Sequence, residues 1–434
     1  MTHDAARDLD TRIASLETEL HRLKAQRAQD QQRPLRPLDG VRVLDLSRFI
    51  FGPFCTQMLG DMGAEVIKVE PCDSGDPARH AGSVFIHGES ASFLARNRNK
   101  RSIAVDLRAA AGQEIALRLV EQCDVLIHNF RPKVMARLGL DTERVRALNP
   151  RLIYCSLSGY GQTGPLADWP GQDILLQAMG GIISTTGWQD GPPVAVGTYL
   201  ADVTGALTAA YGIVTALCAR AQYGLGQVME VSLLDAMISL QSMEATVFLN
   251  SGQVPPRSGS GHWMLPQPYG VFHTKDKDMA LNAHSEDWWG RLCKVPEFAS
   301  LASDPRYSTR QTRATHNAEL AQDLQVILRT KTRDEWLTHL GHYDVLRAPV
   351  YDYAELFADS QVQHNGIVVE QHHPTAGPIK VVGIPVKFSD TPGSVGPAAP
   401  LLGAHTQEVL QWLGYTPEQI ERLRQDGIVR MYGA

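Results

Sequence analysis

The chain has 434 residues, 43% of them hydrophobic and 20% charged, which is enough to bury two or more cores and ordinary for an enzyme-sized protein. A net charge of −6 excludes the general basic face that nucleic-acid and membrane-surface binders need, so any phosphate-binding surface is local. The start lacks a signal-type apolar stretch and no uninterrupted apolar run nears the roughly 20 residues that span a bilayer, while six scattered cysteines form no C-x-x-C pair; the expectation is a cytoplasmic protein with reduced thiols, no metal and no membrane.

Leu9, Ile13, Leu16, Leu20 and Leu23 recur at alternating spacings of four and three until Pro34, which predicts an amphipathic helix and sets residues 1–36 apart as an N-terminal extension. It either stabilises a dimer or packs on its own body. Residues 41–46 then read as a buried strand, Gly52-Pro53 opens a helix, and residues 64–69 read as a second strand, a βαβ unit. The pattern repeats with strands at 102–106, 124–127 and 151–156 around a helix at 112–121, so residues 37–252 are expected to form a parallel sheet with helices on both faces. Ligands of such sheets lie beyond the carboxyl ends of the strands. A small-residue helix from Asp202 to about Arg220, a strand at 227–232 and an apolar helix through Leu249 complete this part. A Pro/Gly/Ser-rich break comes next, and residues 253–355 read as a linker and a small domain with more charged helices. Residues 356–434 read as a return linker and a helical segment that completes the large domain.

Gly159, Gly161 and Gly164 match G-x-G-x-x-G, but Pro165 and Pro170 interrupt the stretch where a helix would have to begin and the match is not on the first βα turn, so a nucleotide cofactor is not expected. Two basic clusters, Arg96 to Arg101 and Arg131 to Arg137, flank predicted strand ends. A solvated face is the default for each, and a phosphate-bearing ligand is the alternative. Asp202 reads by pattern as a helix N-cap. A helix N-terminus also stabilises a carboxylate, which would keep it ionised and nucleophilic at neutral pH.

Several long blocks in fixed order carry more information: PLDGVRVLDLSRFIFGPFCTQMLGDMGAEVIKVE, NRNKRSIAVDL, DVLIHNFRP, LNPRLIYCSLSGYGQTGP, YLADVTGAL and GLGQVMEVSLLDAM. Together they resemble the class III CoA-transferase family (CaiB/BaiF, formyl-CoA transferase-like) from Pro37 to the C-terminus. The resemblance implies a Rossmann-like large domain built from both ends of the chain, a small α+β domain, and an interlocked homodimer. It implies transfer of coenzyme A from an acyl-CoA, succinyl-CoA among the candidates, to a carboxylic acid through an aspartyl-CoA thioester, with Asp202 as nucleophile and without metal or nucleotide cofactor. CoA contacts carry over to Phe49, Ile50, Phe51, Pro71, Arg96, Asn97, Arg98, Asn99, Asn129, Phe130, Arg131 and Arg137, although Pro71 stands where formyl-CoA transferase has a basic residue. Arg48 is a candidate partner for a distal carboxylate, and Gly259 and Gly261 are candidate oxyanion donors. The related racemases use a G-H-D triplet that reads Gly171-Gln172-Asp173 here, and a glutamine cannot exchange a proton as imidazole does, so transfer is favoured. The rivals are a racemase using Asp202 with a histidine from elsewhere, such as His128, and a non-catalytic CoA-binding protein.

Overall fold

The computed structural model describes residues 34–433, so the amphipathic stretch at 9–23 lies outside the described residues. From Arg42 onward the chain alternates strand and helix: β1 (Arg42–Asp45), α1 (Phe51–Asp61), β2 (Glu65–Glu70), β3 (Lys100–Val105), α2 (Ala110–Gln122), β4 (Val125–His128) and β5 (Ile153–Ser158). Next come α3 (Asp173–Met179), α4 (Leu200–Tyr223), β6 (Val228–Ser232), α5 (Leu233–Leu240) and α6 (Ser242–Ser251). A separate antiparallel sheet holds β7 (Tyr269–His273), β8 (Asp278–Asn282) and β9 (Leu346–Pro349), and β10 (Val368–His373) pairs with β11 (Gly377–Val382). Helices α7 (Thr406–Trp412) and α8 (Pro417–Gln425) lead to β12 (Val429–Arg430).

The main sheet runs β12–β3–β2–β1–β4–β5–β6, parallel except for β12. Its central strands are apolar on both faces, as parallel strands covered on both sides must be. Val43, Val66, Val125 and Ile153 belong to the core that α1, α4 and α5 close. Leu44, Ile67, Leu126 and Tyr154 belong to the opposite core, closed by α2, α7 and α8. The C-terminal return is hydrogen bonded in place, with Ala104 N donating to Thr406 Oγ1 at 3.0 Å and Thr406 Oγ1 donating to Arg430 O at 2.8 Å.

The second sheet has a core of its own around Met279, Leu281, Phe298, Leu324 and the fully buried Trp336, whose indole N–H reaches Leu328 O at 2.7 Å. The single apolar helix expected through Leu249 is two, α5 and α6. The break falls at Gln241, whose side-chain amide donates to Gly180 O at 2.6 Å and Met237 O at 2.8 Å, which ends the first helix and ties it to the segment after α3.

Candidate active site

The strand order reverses direction between β1 and β4. Such a switch point opens a crevice at the carboxyl edge. A cleft of about 710 Å³ occupies that edge, bounded by Leu46 and Arg48 after β1, Pro71 after β2, Asp106 to Arg108 after β3, Phe130 after β4, and Arg430 of β12. Both ends of the chain therefore build its wall. The two loops are joined: Arg48 N donates to Asn129 Oδ1 at 2.9 Å, Asn129 Nδ2 returns a bond to Arg48 O at 2.8 Å, and the Arg48 guanidinium lies over the Phe130 ring.

Beneath the cleft is a layer of buried ions. Asp45 takes bonds from Ser47 Oγ, Thr56 Oγ1 and Lys100 Nζ, and Glu70 holds Arg79 bidentately at 2.7 and 2.8 Å. Burial opposes ionisation of Asp45, yet Lys100, Lys68 and the two hydroxyls bring its pKa down to about 2.

Asp202 does not cap its helix. α4 starts at Leu200, and Asp202 lies in its first turn. The cap comes from α3 instead: Asp173 Oδ1 accepts from Ala201 N at 2.8 Å and Asp202 N at 3.2 Å, while its Oδ2 accepts from Gln177 Nε2 at 2.7 Å. The carboxylate of Asp202 is thus left free for chemistry. The expectation that the helix terminus keeps it fully ionised is corrected, because burial and the negative charge of Asp173 together push its pKa up to about 7, against the opposing pull of Arg96. Arg96 also stacks over Tyr199 at 5.6 Å, so Arg96, Tyr199 and Asp202 converge. One turn further along α4, Gly205 abuts Phe51 so closely that a Cβ would lie 2.8 Å from its ring, which seats Asp202 beside the start of α1 and the β1 loop.

The residues singled out from the sequence divide. Arg48, Pro71 and Phe130 line the cleft, and Phe49 is exposed in the same loop as Arg48. Ile50 is buried and Phe51 packs on Gly205. Arg131 and Arg137 are exposed with no ion-pair partner among the described residues. The side chains of the N-R-N-K segment are mostly engaged within the protein. Arg98 is buried in an ion pair with Asp61 at 2.6 Å, Asn97 is buried and accepts from Lys100 Nζ at 2.9 Å, and Asn99 bonds Asp61, Ser394 O and Gly396 N. The cation that faces Asp202 is Arg96 and not Arg48. Gln172 is an exposed residue preceding α3, and Asp173 has the capping role described. Gly259 and Gly261 are held by other partners, Gly259 pairing with Gly187 under the Trp188 ring and Gly261 lying against Tyr269 O. His128 is a core residue: Ser156 Oγ lies 3.1 Å from its Nε2, and burial drives its pKa down to about 3.

Tyr199, Asp76 and Arg430 were not found from the sequence. The signal for Asp76 was present in Asp-Pro-Ala, an N-cap with proline at the first helical position, and its side chain does accept from Ala78 N. Among the described residues, no group of three or more His, Cys, Asp or Glu has a metal-binding arrangement.

The sequence matches CoA-transferase family III over residues 38–406. It is 35% identical over 407 residues to the succinyl-CoA:glutarate CoA-transferase of Mus musculus, covering 94% of this chain and 93% of that one. It is 38% identical over 392 residues to the succinate–glutarate CoA-transferase of Agrobacterium fabrum, covering 89% and 97%. Among solved structures, a CaiB/BaiF family protein from Brucella suis superposes with a TM-score of 0.80 at 34% identity, covering 88% of this chain and all of that one.

Proposed function

The chain belongs to CoA-transferase family III, and we propose that it moves coenzyme A from an acyl-CoA lying in the cleft at the carboxyl ends of β1 to β4 to a free carboxylic acid, using Asp202 as the covalent carrier. The observation that carries this reading is a half-buried carboxylate with a raised pKa, free of capping duty, on a helix whose Gly205 packs against Phe51 just after the β1 loop, the loop whose Arg48 lines a strand-end cleft with the unpaired Arg131 and Arg137 beside its lining residues Phe130 and Leu138.

The ionised Asp202 attacks the thioester carbonyl, and the C–S bond breaks to give a mixed anhydride and a CoA thiolate. The thiolate attacks the Asp202 carbonyl of that anhydride, so the donor acid leaves as its carboxylate, carrying an Asp202 oxygen, and an aspartyl-CoA thioester remains. The acceptor carboxylate runs the same steps in reverse. Thioester energy is carried through each intermediate, so the exchange consumes no ATP. A carboxylate with a pKa near 7 is a stronger nucleophile than one near 4, and it is still largely ionised just above neutrality. Arg96 places positive charge where three carboxylates meet in turn: Asp202, the departing acid and the incoming one. Arg131 and Arg137 are assigned to the phosphates of CoA.

The named relatives act on short dicarboxylates, and we assign the same class of acid here. Racemisation is disfavoured by Gln172, which cannot exchange a proton, and by His128, which is buried, neutral and bonded to Ser156. The domain division proposed is a large domain of residues 37–252 completed by 356–434, with 253–355 as linker and small domain. α4 is long and apolar enough to cross a membrane by length and composition alone. Its outward face carries Leu207 and Tyr211, the latter 73% exposed, and α6 exposes Leu249 at 77%. Its first turn holds Asp202 beside Arg96, so we assign this apolar face to a second copy of the chain, in an interlocked dimer. A donor-by-acceptor screen read by mass spectrometry of the CoA esters tests the function. New CoA esters of dicarboxylic acids, formed without ATP and lost in Asp202→Ala, are the expected result; exchange of the α-hydrogen with solvent and no transfer would overturn it.

A further inference from the structure

The loop between β1 and α1 is held in a conformation that its residues would not choose. Phe49 has φ +65° while its side chain is 51% exposed, so no packing of the ring accounts for a left-handed backbone. Side chains from four separate places grip the three residues involved. Asp45 Oδ1 accepts from Ser47 N at 2.9 Å, Lys68 Nζ donates to Ser47 O at 2.8 Å, Asn129 brackets Arg48, and Asp76 Oδ1 accepts from Phe49 N at 3.0 Å. Asp76 Oδ2 in turn lies 2.8 Å from Lys68 Nζ, with both side chains wholly buried, and Glu70 Oε2 accepts from Asp76 N at 2.9 Å. A buried ion pair is weak evidence for stability, since a well-packed apolar pair serves as well. What an apolar pair could not do is accept from the Phe49 N–H and hold the Ser47 carbonyl.

We propose that the buried Lys68–Asp76 pair is a positioning device that locks Phe49 in its left-handed conformation and so shapes the β1 loop for acyl-CoA before the ligand arrives. The inference rests on the cleft being the acyl-CoA site. Preorganisation lowers the ordering cost of binding, so its loss appears in affinity and not in the chemical step.

The full-length protein is titrated with free coenzyme A by calorimetry, and thioester exchange is measured at saturating acyl-CoA. Lys68→Met/Asp76→Leu removes the pair without stranding a charge; the dissociation constant for CoA rises about ten-fold while the saturated rate stays within about two-fold. Lys68→Met/Asp76→Asn keeps an acceptor for Phe49 N and recovers most of the affinity. A second pair at the exposed position needs no core change: Phe49→Gly accepts positive φ, whereas Phe49→Pro forbids it and lacks the N–H, so the proline variant binds CoA about ten-fold more weakly than the glycine variant. Equal affinity for glycine and proline, or unchanged affinity in a folded Lys68→Met/Asp76→Leu protein, overturns the proposal. Arg131→Gln/Arg137→Gln separates the two failures. If it weakens CoA binding while the loop variants do not, the cleft assignment stands and the positioning role falls; if none of the variants matters, the cleft assignment falls and takes the proposal with it.

Discussion

Asp202 owes its character to two neighbours of opposite sign. Asp173 sits on the first N–H groups of α4, taking the favourable contacts that a helix terminus would offer Asp202 and adding a like charge, while Arg96 works against both. The ionised form is the nucleophile, so exchange measured as kcat/KM should rise with pH through about 7 and level off above it. Asp173→Asn keeps an acceptor for the helix but removes the charge, and should move that limb to lower pH. Arg96→Gln should move it to higher pH. A limb that stays put in both variants would mean that another group titrates. The same shift bears on stability. Because the folded state binds the Asp202 proton more tightly than the unfolded chain, stability falls between about pH 4 and 7, and the cost is complete above 7. Asp202→Asn should therefore unfold at a higher temperature than the parent at pH 8, by on the order of 1 kcal/mol after solvent screening, with no gain at pH 4, and thermal melts at the two pH values check this. None of this was legible in the sequence. Asp202 stood out by pattern as a helix cap, its assignment as nucleophile came only through the family resemblance, and a cap supplied from 29 residues away has no local signature.

Small residues at the level of elements explain why some motifs misled. Gly159 and Gly171 press back to back, each leaving under 3 Å for a Cβ on the other, so the first glycine of the apparent dinucleotide fingerprint is a packing residue between two loops. Gly205 has the same function between α4, Phe51 and Leu233. Gly205→Ala should destabilise by about 1–3 kcal/mol and shift Asp202 relative to the β1 loop, so a denaturant midpoint and an exchange rate should fall together. The strands at 42–45, 65–70 and 125–128 were readable because they are buried on both faces and nearly continuous in apolar residues. The N-R-N-K segment was readable as basic but not as scaffold, since Asp61, the partner that buries Arg98, belongs to α1, 37 residues earlier. The break between α5 and α6 was hidden for the same reason, as its cause is a carbonyl 61 residues away.

For the molecule as a whole, the alternation of strand and helix foretold a parallel sheet, and the sheet has the order that leaves a crevice between β1 and β4. The return of the C-terminal segment to the large domain was expected from the family resemblance, whereas its antiparallel pairing as β12 on β3, and the apolar outward faces of α4 and α6, needed three-dimensional structure to see. If those faces are covered by a second copy, light scattering should give twice the 47.7 kDa chain mass, and Leu207→Asp/Tyr211→Asp should lower it toward one. A single-chain mass for the parent would remove that assignment. The central claim, that CoA passes through Asp202, is tested most directly by intact mass after brief incubation with succinyl-CoA and no acceptor. The parent protein should gain the mass of CoA less one water, in an adduct that maps to the Asp202 peptide and disappears on adding a dicarboxylic acid, and Asp202→Ala should gain nothing. An adduct on another residue, or new CoA esters appearing at full rate from Asp202→Ala, would contradict the account.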